Sequence, residues 1–216
     1  MPLRSKGMLI TSMDIDAAHE DEFNLWYDRE HVAERVAIDG FTEARRWVAI
    51  EGSPKYFATY CTQKFEDLSS QAYTRALANQ TDWSKTNIGR FKNMIRVVAR
   101  ITDSRGQGRG SILGVIRLRP AQRSAQTIAK LHEHLDPGVR PGIISMHLLQ
   151  SDPDLSKSLT EPDKPNPGAA DWFVLIEGTA LPEVRTMAAE RFNGPELGPV
   201  SVNFYRHLWD LAKSDL

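Results

Sequence analysis

The 216 residues are 41% hydrophobic and 25% charged, the composition of a globular chain long enough for one sizeable core or two small ones. With 27 basic against 28 acidic side chains the net charge is −1, which leaves no general field to draw nucleic acid, anionic lipid or acidic substrates. A single cysteine, Cys61, excludes an intramolecular disulfide and any multi-thiolate zinc site. Inside the strand-like YFATYCTQ it reads as a small packing residue rather than a reactive thiol.

The opening MPLRSKGMLITSMDID has two cations before an apolar stretch that Thr11, Ser12 and Asp14 interrupt. It is too short for the apolar region of a signal peptide or for a membrane span, so a cytoplasmic protein with no membrane partner is expected. GMLITSMDI then reads as a strand, and EDEFNLWYDREHVAERVA as a helix ending near Asp39 and Gly40, with Gly40 as its cap. FTEARRWVAIEG and KYFATYCTQ form a hairpin around Gly52, Ser53 and Pro54. A second helix follows in FEDLSSQAYTRALANQ, with apolar or aromatic residues at Phe65, Leu68, Ala72, Ala76 and Leu77, and RFKNMIRVVARI closes the half as a strand. The order is β-α-β-β-α-β.

The basic, glycine-rich SRGQGRGS (104–111) has linker composition and falls almost at the midpoint. Beyond it the order repeats: SILGVIRLRP, SAQTIAKLHEHL, GIISMHLLQSD, DWFVLIEGT, LPEVRTMAAERF and VSVNFYRHLWDL. Small marks recur as well, with Asn93 and Arg96 answered by Asn203 and Arg206 in the last strands. The expected class is α+β: two tandem ferredoxin-like repeats, residues 1–105 and 106–216, packed sheet to sheet as an intrachain pseudo-dimeric α/β barrel. Trp47, Ile50, Phe57 and Trp172 are the expected cover of the shared face. An insert at about 153–170, PDLSKSLTEPDKPNPGAA, is expected as a mobile loop over one end of the sheet.

The segment FNLWYDREHVAERVAIDGFTEARRW resembles the helix-to-strand region of EthD-like and related members of the dimeric α/β barrel superfamily, where an aromatic pair, an acidic residue and a histidine precede a tight turn. The resemblance runs from about residue 7 to 101. The second half matches only in element order, and LHEHL stands there in place of the aromatic–histidine run, so at most one good copy of such a site is expected. The resemblance implies a small apolar or aromatic ligand between sheet and helices, with cofactor-free chemistry in some members and haem in others.

On a helical wheel, Leu25, Trp26, Val32, Ala33, Val36 and Ala37 form one apolar stripe with Phe23 at its edge. Tyr27 and His31 share another side with Asn24 and Arg35, and by periodicity alone that side is solvated. In the functional reading the same shoulder borders a cleft: His31 moves a proton, Tyr27 orients a substrate oxygen and Asp28 fixes the histidine tautomer. Strand alternation puts Arg45 with Trp47 and Arg46 with Ala44, so one arginine points inward or sits at a rim. Arg45 or Arg46 could hold a carboxylate or phenolate, with Trp26, Trp47, Tyr56 and Tyr60 as walls, although cross-strand ion pairs and aromatic packing explain the same residues.

No metal site is expected: His31 with Glu34, or His132 with His134, supplies too few ligands. The reading is therefore a cofactor-free protein that binds a small aromatic or polyketide-like molecule, with proton-transfer chemistry of isomerase, lyase or oxygenase type. The alternatives are a non-catalytic ligand-binding or assembly module and a haem-binding barrel, for which His31, His132, His147 and His207 are nominal axial ligands. Pairing with a second copy as a homo-oligomer is left open.

Overall fold

Alternating side chains along the strands divide this chain between two surfaces, and a computed structural model shows both to be covered. It describes residues 5–157 and 166–216. The first half contributes β1 (Gly7–Asp14), a long helix, β2 (Phe41–Glu51), β3 (Tyr56–Thr62), α3 (Gln71–Ala78), α4 (Asp82–Gly89) and β4 (Lys92–Gly106). The long helix has three parts: α1 (Glu20–Trp26), a π-helical turn (Tyr27–His31) and α2 (Val32–Ala37). The second half follows with β5 (Ile112–Leu118), α5 (Ala125–His134), β6 (Ile143–Ser151), β7 (Trp172–Gly178), α6 (Leu181–Phe192) and β8 (Pro199–Ala212).

The strands close a barrel in the order β1-β3-β2-β8-β5-β7-β6-β4. Each half carries the split βαβ order, β4-β1-β3-β2 and β8-β5-β7-β6, and the two sheets fuse edge to edge at β2–β8 and β4–β6. Inward-facing residues, among them Met8, Ile10, Trp47, Phe57, Val97, Leu113, Val115, Leu149, Phe173, Leu175 and Tyr205, fill the barrel. The outward faces carry two further cores, one under α1–α4 and one under α5 and α6. Burying each large apolar side chain contributes roughly 1.5–3 kcal/mol before chain entropy is subtracted.

The expected fold class is what the structure shows, and several details differ. Of the four residues expected on the shared face, Trp47 and Phe57 lie in the barrel, Trp172 instead faces the helices of the second half, and Ile50 is 42% exposed. The glycine-rich stretch is only partly a connector, because β4 runs on to Gly106 to pair with β6 across the seam. The helix α4 was not legible, since DWSKTNIG has no apolar stripe; Thr81 caps it by accepting from Ser84 N. Gly40 does end the long helix, with φ of 88°, and a Cβ there would lie 2.4 Å from Asp67 Cγ. The described parts of the insert lie against β4, where Asn166 donates to the Arg96 and Ser156 carbonyls and Arg96 donates to the Leu155 carbonyl at 2.7 Å. Its centre, 158–165, lies outside the described residues, and so does the expected mobile loop there.

A polar cluster beneath a π-turn

The π-turn decides which face of the long helix meets the sheet. A π-turn holds an extra residue per turn and rotates the helix face beyond it relative to a regular 3.6-residue wheel. Phe23, Trp26, Val32 and Val36 are buried as the stripe requires, but Leu25 is 51% exposed and Ala37 also faces solvent. Tyr27 is 2% exposed and Arg35 4%, so the side expected to be solvated is turned toward β1, β2 and β3.

His31 is half-buried as a residue, but its Nδ1 is sealed and has no hydrogen-bond partner among the described residues. Its ring stacks at 4.2 Å from Trp26 and meets Tyr27 edge-on at 5.0 Å and Tyr60 at 6.1 Å between centroids. Burial, then the guanidinium charges of Arg35 and Arg46, holds the imidazole well below the ordinary histidine range. It is therefore neutral at pH 7 and can accept a proton.

Around it stand further polar atoms with nothing to bond. The Thr11 and Tyr60 hydroxyls have no partner among the described residues, and neither do Nε and Nη1 of Arg35. The Tyr27 hydroxyl lies 4.0 Å from the Met13 sulfur and stands beside the Tyr60 and Thr11 hydroxyls, so these three hydroxyls have one another as their near polar neighbours. Burial raises the pKa of Tyr27 and Tyr60, so both phenols stay protonated as donors. Each unpartnered buried group costs about 1–3 kcal/mol, and native proteins rarely gather several in one place.

The structure distributes the other sequence-predicted residues differently. Arg46 faces the helices and is saturated: it donates to Asp28 Oδ1 and Asn24 Oδ1, both at 2.9 Å, and lies 4.0 Å over the Tyr27 ring. Asp28 does not orient His31; its Oδ1 also accepts from Trp209 Nε1 at 2.7 Å. Trp26 is wholly buried and donates to Ser84 Oγ at 3.0 Å. Tyr56 donates to Glu20 at 2.5 Å and accepts from Asn24 at 3.0 Å, which commits its hydroxyl to the helix start.

Arg45 and Trp47 lie on the opposite face, inside the barrel. Arg45 pairs with Glu177 at 2.6 Å across the two halves and lies 4.5 Å over the Trp47 ring. His147 shares a hydrogen bond with Ser104 at 2.8 Å, and burial lowers its basicity. These residues border a void of about 20 Å³, the size of one water. The two arginines thus belong to separate regions. Cys61 borders the same void, and burial pushes its thiol pKa up, as an inert packing residue requires.

Thr11 and Arg35 were missed as site residues. Only their burial reveals them, and the signal was the polarity of Arg35 beside Tyr27 and His31.

With this geometry in hand, comparison with solved structures identifies the architecture. The fold is that of the dimeric α/β barrel. An anthrone oxidase-like protein superposes with a TM-score of 0.60 at 9% identity, covering 99% of this chain and 96% of its own. A monooxygenase candidate from Lactobacillus acidophilus gives 0.56 at 9% identity with 97% of each chain covered. A chlorite dismutase variant from Candidatus Nitrospira defluvii, in complex with cyanide, gives 0.56 at 8% identity, over 96% of this chain and 92% of its own. No protein-family profile matches the chain, and no curated protein matches it in sequence.

A haem does not fit the residues present. The second helix–sheet layer is filled by Leu131, Met146, Met187 and Phe192, all wholly buried. His132 donates to Asp103 at 2.5 Å and His134 bonds the Arg191 carbonyl, while His147 meets only the water-sized void. His31 packs 4.2 Å from the Trp26 ring with Tyr27 and Tyr60 around it, and His207 packs against Trp47 and lies 3.5 Å from Asp210. No group of three or more metal-ligating side chains occurs among the described residues, and no described helix is long and apolar enough to cross a membrane.

Proposed function

We propose that the chain binds a small oxygen-bearing aromatic molecule between its long helix and the first sheet, and moves a proton on it without a cofactor. The supporting observation is the buried polar cluster under the π-turn: His31 Nδ1, which bonds nothing among the described residues, stands beside the Tyr27 and Tyr60 rings, with the Thr11, Tyr27 and Tyr60 hydroxyls grouped next to it. A ligand oxygen would accept from these hydroxyls. The neutral His31 would accept a proton from an acidic C–H or O–H of the ligand, and Tyr27 with Tyr60 would donate to the oxygen on which charge develops.

The layer is tightly packed, so a ligand would enter as α4 parts from the long helix. Beside the apolar packing of Trp83, Ile88 and Phe91, contacts between them include polar ones exchangeable with water: Trp26 Nε1 to Ser84, and Glu30 accepting from Thr81 at 2.6 Å and Ser84 at 3.1 Å. Trp26, Phe23 and Tyr27 would flank an aromatic ring. The EthD-like resemblance and the anthrone oxidase-like and monooxygenase neighbours agree with this class of ligand.

A thermal-shift screen of wild type and His31→Ala against phenols, hydroxyaromatic ketones and aromatic acids tests the reading, since a ligand of the native state must raise the melting temperature. A stabilising compound whose effect changes in the variant supports it. Stabilisers that act equally on both proteins would remove His31 from the site. The barrel interior, closed to about 20 Å³, favours a second reading in which the duplicated barrel is a scaffold without a ligand; an empty screen supports that one.

A further inference from the structure

Arg35 is the group in this layer whose position asks for a partner of definite charge. It sits in α2 at 4% exposure, and its Nε and Nη1 donors bond nothing among the described residues. The nearest carboxylate is Glu34, whose Oε2 lies 3.7 Å from Nη2, beyond a hydrogen bond. Glu34 is itself poorly satisfied: burial and the neighbouring Glu30 raise its carboxyl above the usual range. A buried guanidinium cannot shed its proton, and burying it without hydrogen bonds costs several kcal/mol. Arg46, by contrast, has Asp28 and Asn24.

The Arg35 charge bears on Tyr27, His31 and Tyr60 alike, which places it beside the same cluster. Resting on the ligand reading above, we infer that the ligand is a planar monoanion, an aromatic carboxylate or phenolate, whose charged oxygen is received by Arg35 while its ring lies against the aromatic helix side chains. A guanidinium offers two parallel N–H groups to such an oxygen pair, in a geometry lysine cannot reproduce. A neutral ligand could offer a carbonyl acceptor but no compensating charge, and the charge-assisted bond is the stronger of the two.

The test uses matched probes on the full chain: aromatic acids and their uncharged amides, salicylate with salicylamide among them, titrated by calorimetry into wild type, Arg35→Met and Arg35→Lys. The acid should bind wild type preferentially, lose about tenfold to a hundredfold in Arg35→Met, and recover only partly in Arg35→Lys. Amides that bind wild type as well as the acids do, unchanged in Arg35→Met, would overturn the charge assignment and leave the ligand site standing. Failure of acids and amides alike would remove both. A second measurement needs no ligand: with the guanidinium, paired only with Glu34 at 3.7 Å and short of hydrogen bonds, replaced by an apolar side chain of similar length, Arg35→Met should melt higher by about 2–4 °C or more. A lower melting temperature would mean that Arg35 has a structural partner in solution, and the inference would fall.

Discussion

The two helix–sheet layers share a topology and differ in what they enclose. Counted from the first pair of each ladder, Leu9–Tyr60, Thr11–Ala58 and Met13–Tyr56 in β1–β3 correspond to Gly114–Ile176, Ile116–Val174 and Leu118–Trp172 in β5–β7. The Tyr60 and Thr11 hydroxyls of the first ladder have Ile176 and Ile116 as their counterparts in the second, and Tyr56 has Trp172. Above them, Tyr27, His31 and Arg35 have their counterpart in a layer of Leu131, Val184, Met187 and Phe192. One layer is packed for stability alone, and the other holds polar groups that stability would not select.

The largest effect that could break this comparison lies in the apolar layer. Phe192→Ala should cost about 3–5 kcal/mol in denaturant unfolding, since Phe192 is wholly buried in the apolar cluster under α5 and α6. A loss below about 1 kcal/mol would show that this layer is looser than its burial indicates.

The polar layer makes a pH prediction. A histidine held below its ordinary range in the fold takes up a proton more readily in the unfolded chain, so stability falls as pH drops below about 6.5 and levels off below the folded value. Each such group adds up to about 1.4 kcal/mol per pH unit across that window. His147 and His207 are shifted the same way and remain in any variant. His31→Phe should therefore flatten, but not abolish, the slope of unfolding free energy between pH 5 and 7. An unchanged slope would mean that His31 is solvated.

Tyr60→Phe deletes a buried hydroxyl that bonds nothing, and should leave stability unchanged or raise it by about 1 kcal/mol. A clear loss in chemical denaturation would reveal a partner for Tyr60 and weaken the contrast between the layers. The smallest expected change is Leu25→Lys, within about 0.5 kcal/mol, because Leu25 lies away from the buried Phe23 and Trp26 of α1 and is 51% exposed. A loss of more than about 1 kcal/mol would mean that Leu25 packs against the protein in solution.

The duplicated β-α-β-β-α-β order was legible because strand alternation and helix stripes survive in both halves, and the barrel followed from the need to cover two apolar sheet faces. Trp172 was misplaced because a strand with both faces buried, reading WFVLIEG, carries no alternation to say which face is which. The helix face was misread beyond Trp26 for a different reason. A wheel assumes one period, and no residue type in YDREH announces that the backbone adds one residue to the turn. That one residue moved Arg35 and Tyr27 from the expected surface to the sheet. Arg45 and Arg46 were correctly placed on opposite faces by alternation, but their partners, Glu177 and Asp28, lie far away in sequence or on the helix, and only the folded register brings them together.

The ring of strands also sets a timetable. β2 gains its outer neighbour only when β8 arrives, and Glu51 and Pro199 are about 150 residues apart, so at roughly 5–20 residues per second a growing chain waits on the order of 10–30 s. Through that interval the first half has its own sheet but an open β2 edge, the kind of edge on which chains pair with the wrong partner. Arg45 lies on that strand, and the charge that Glu177 later neutralises inside the barrel would until then keep the edge soluble.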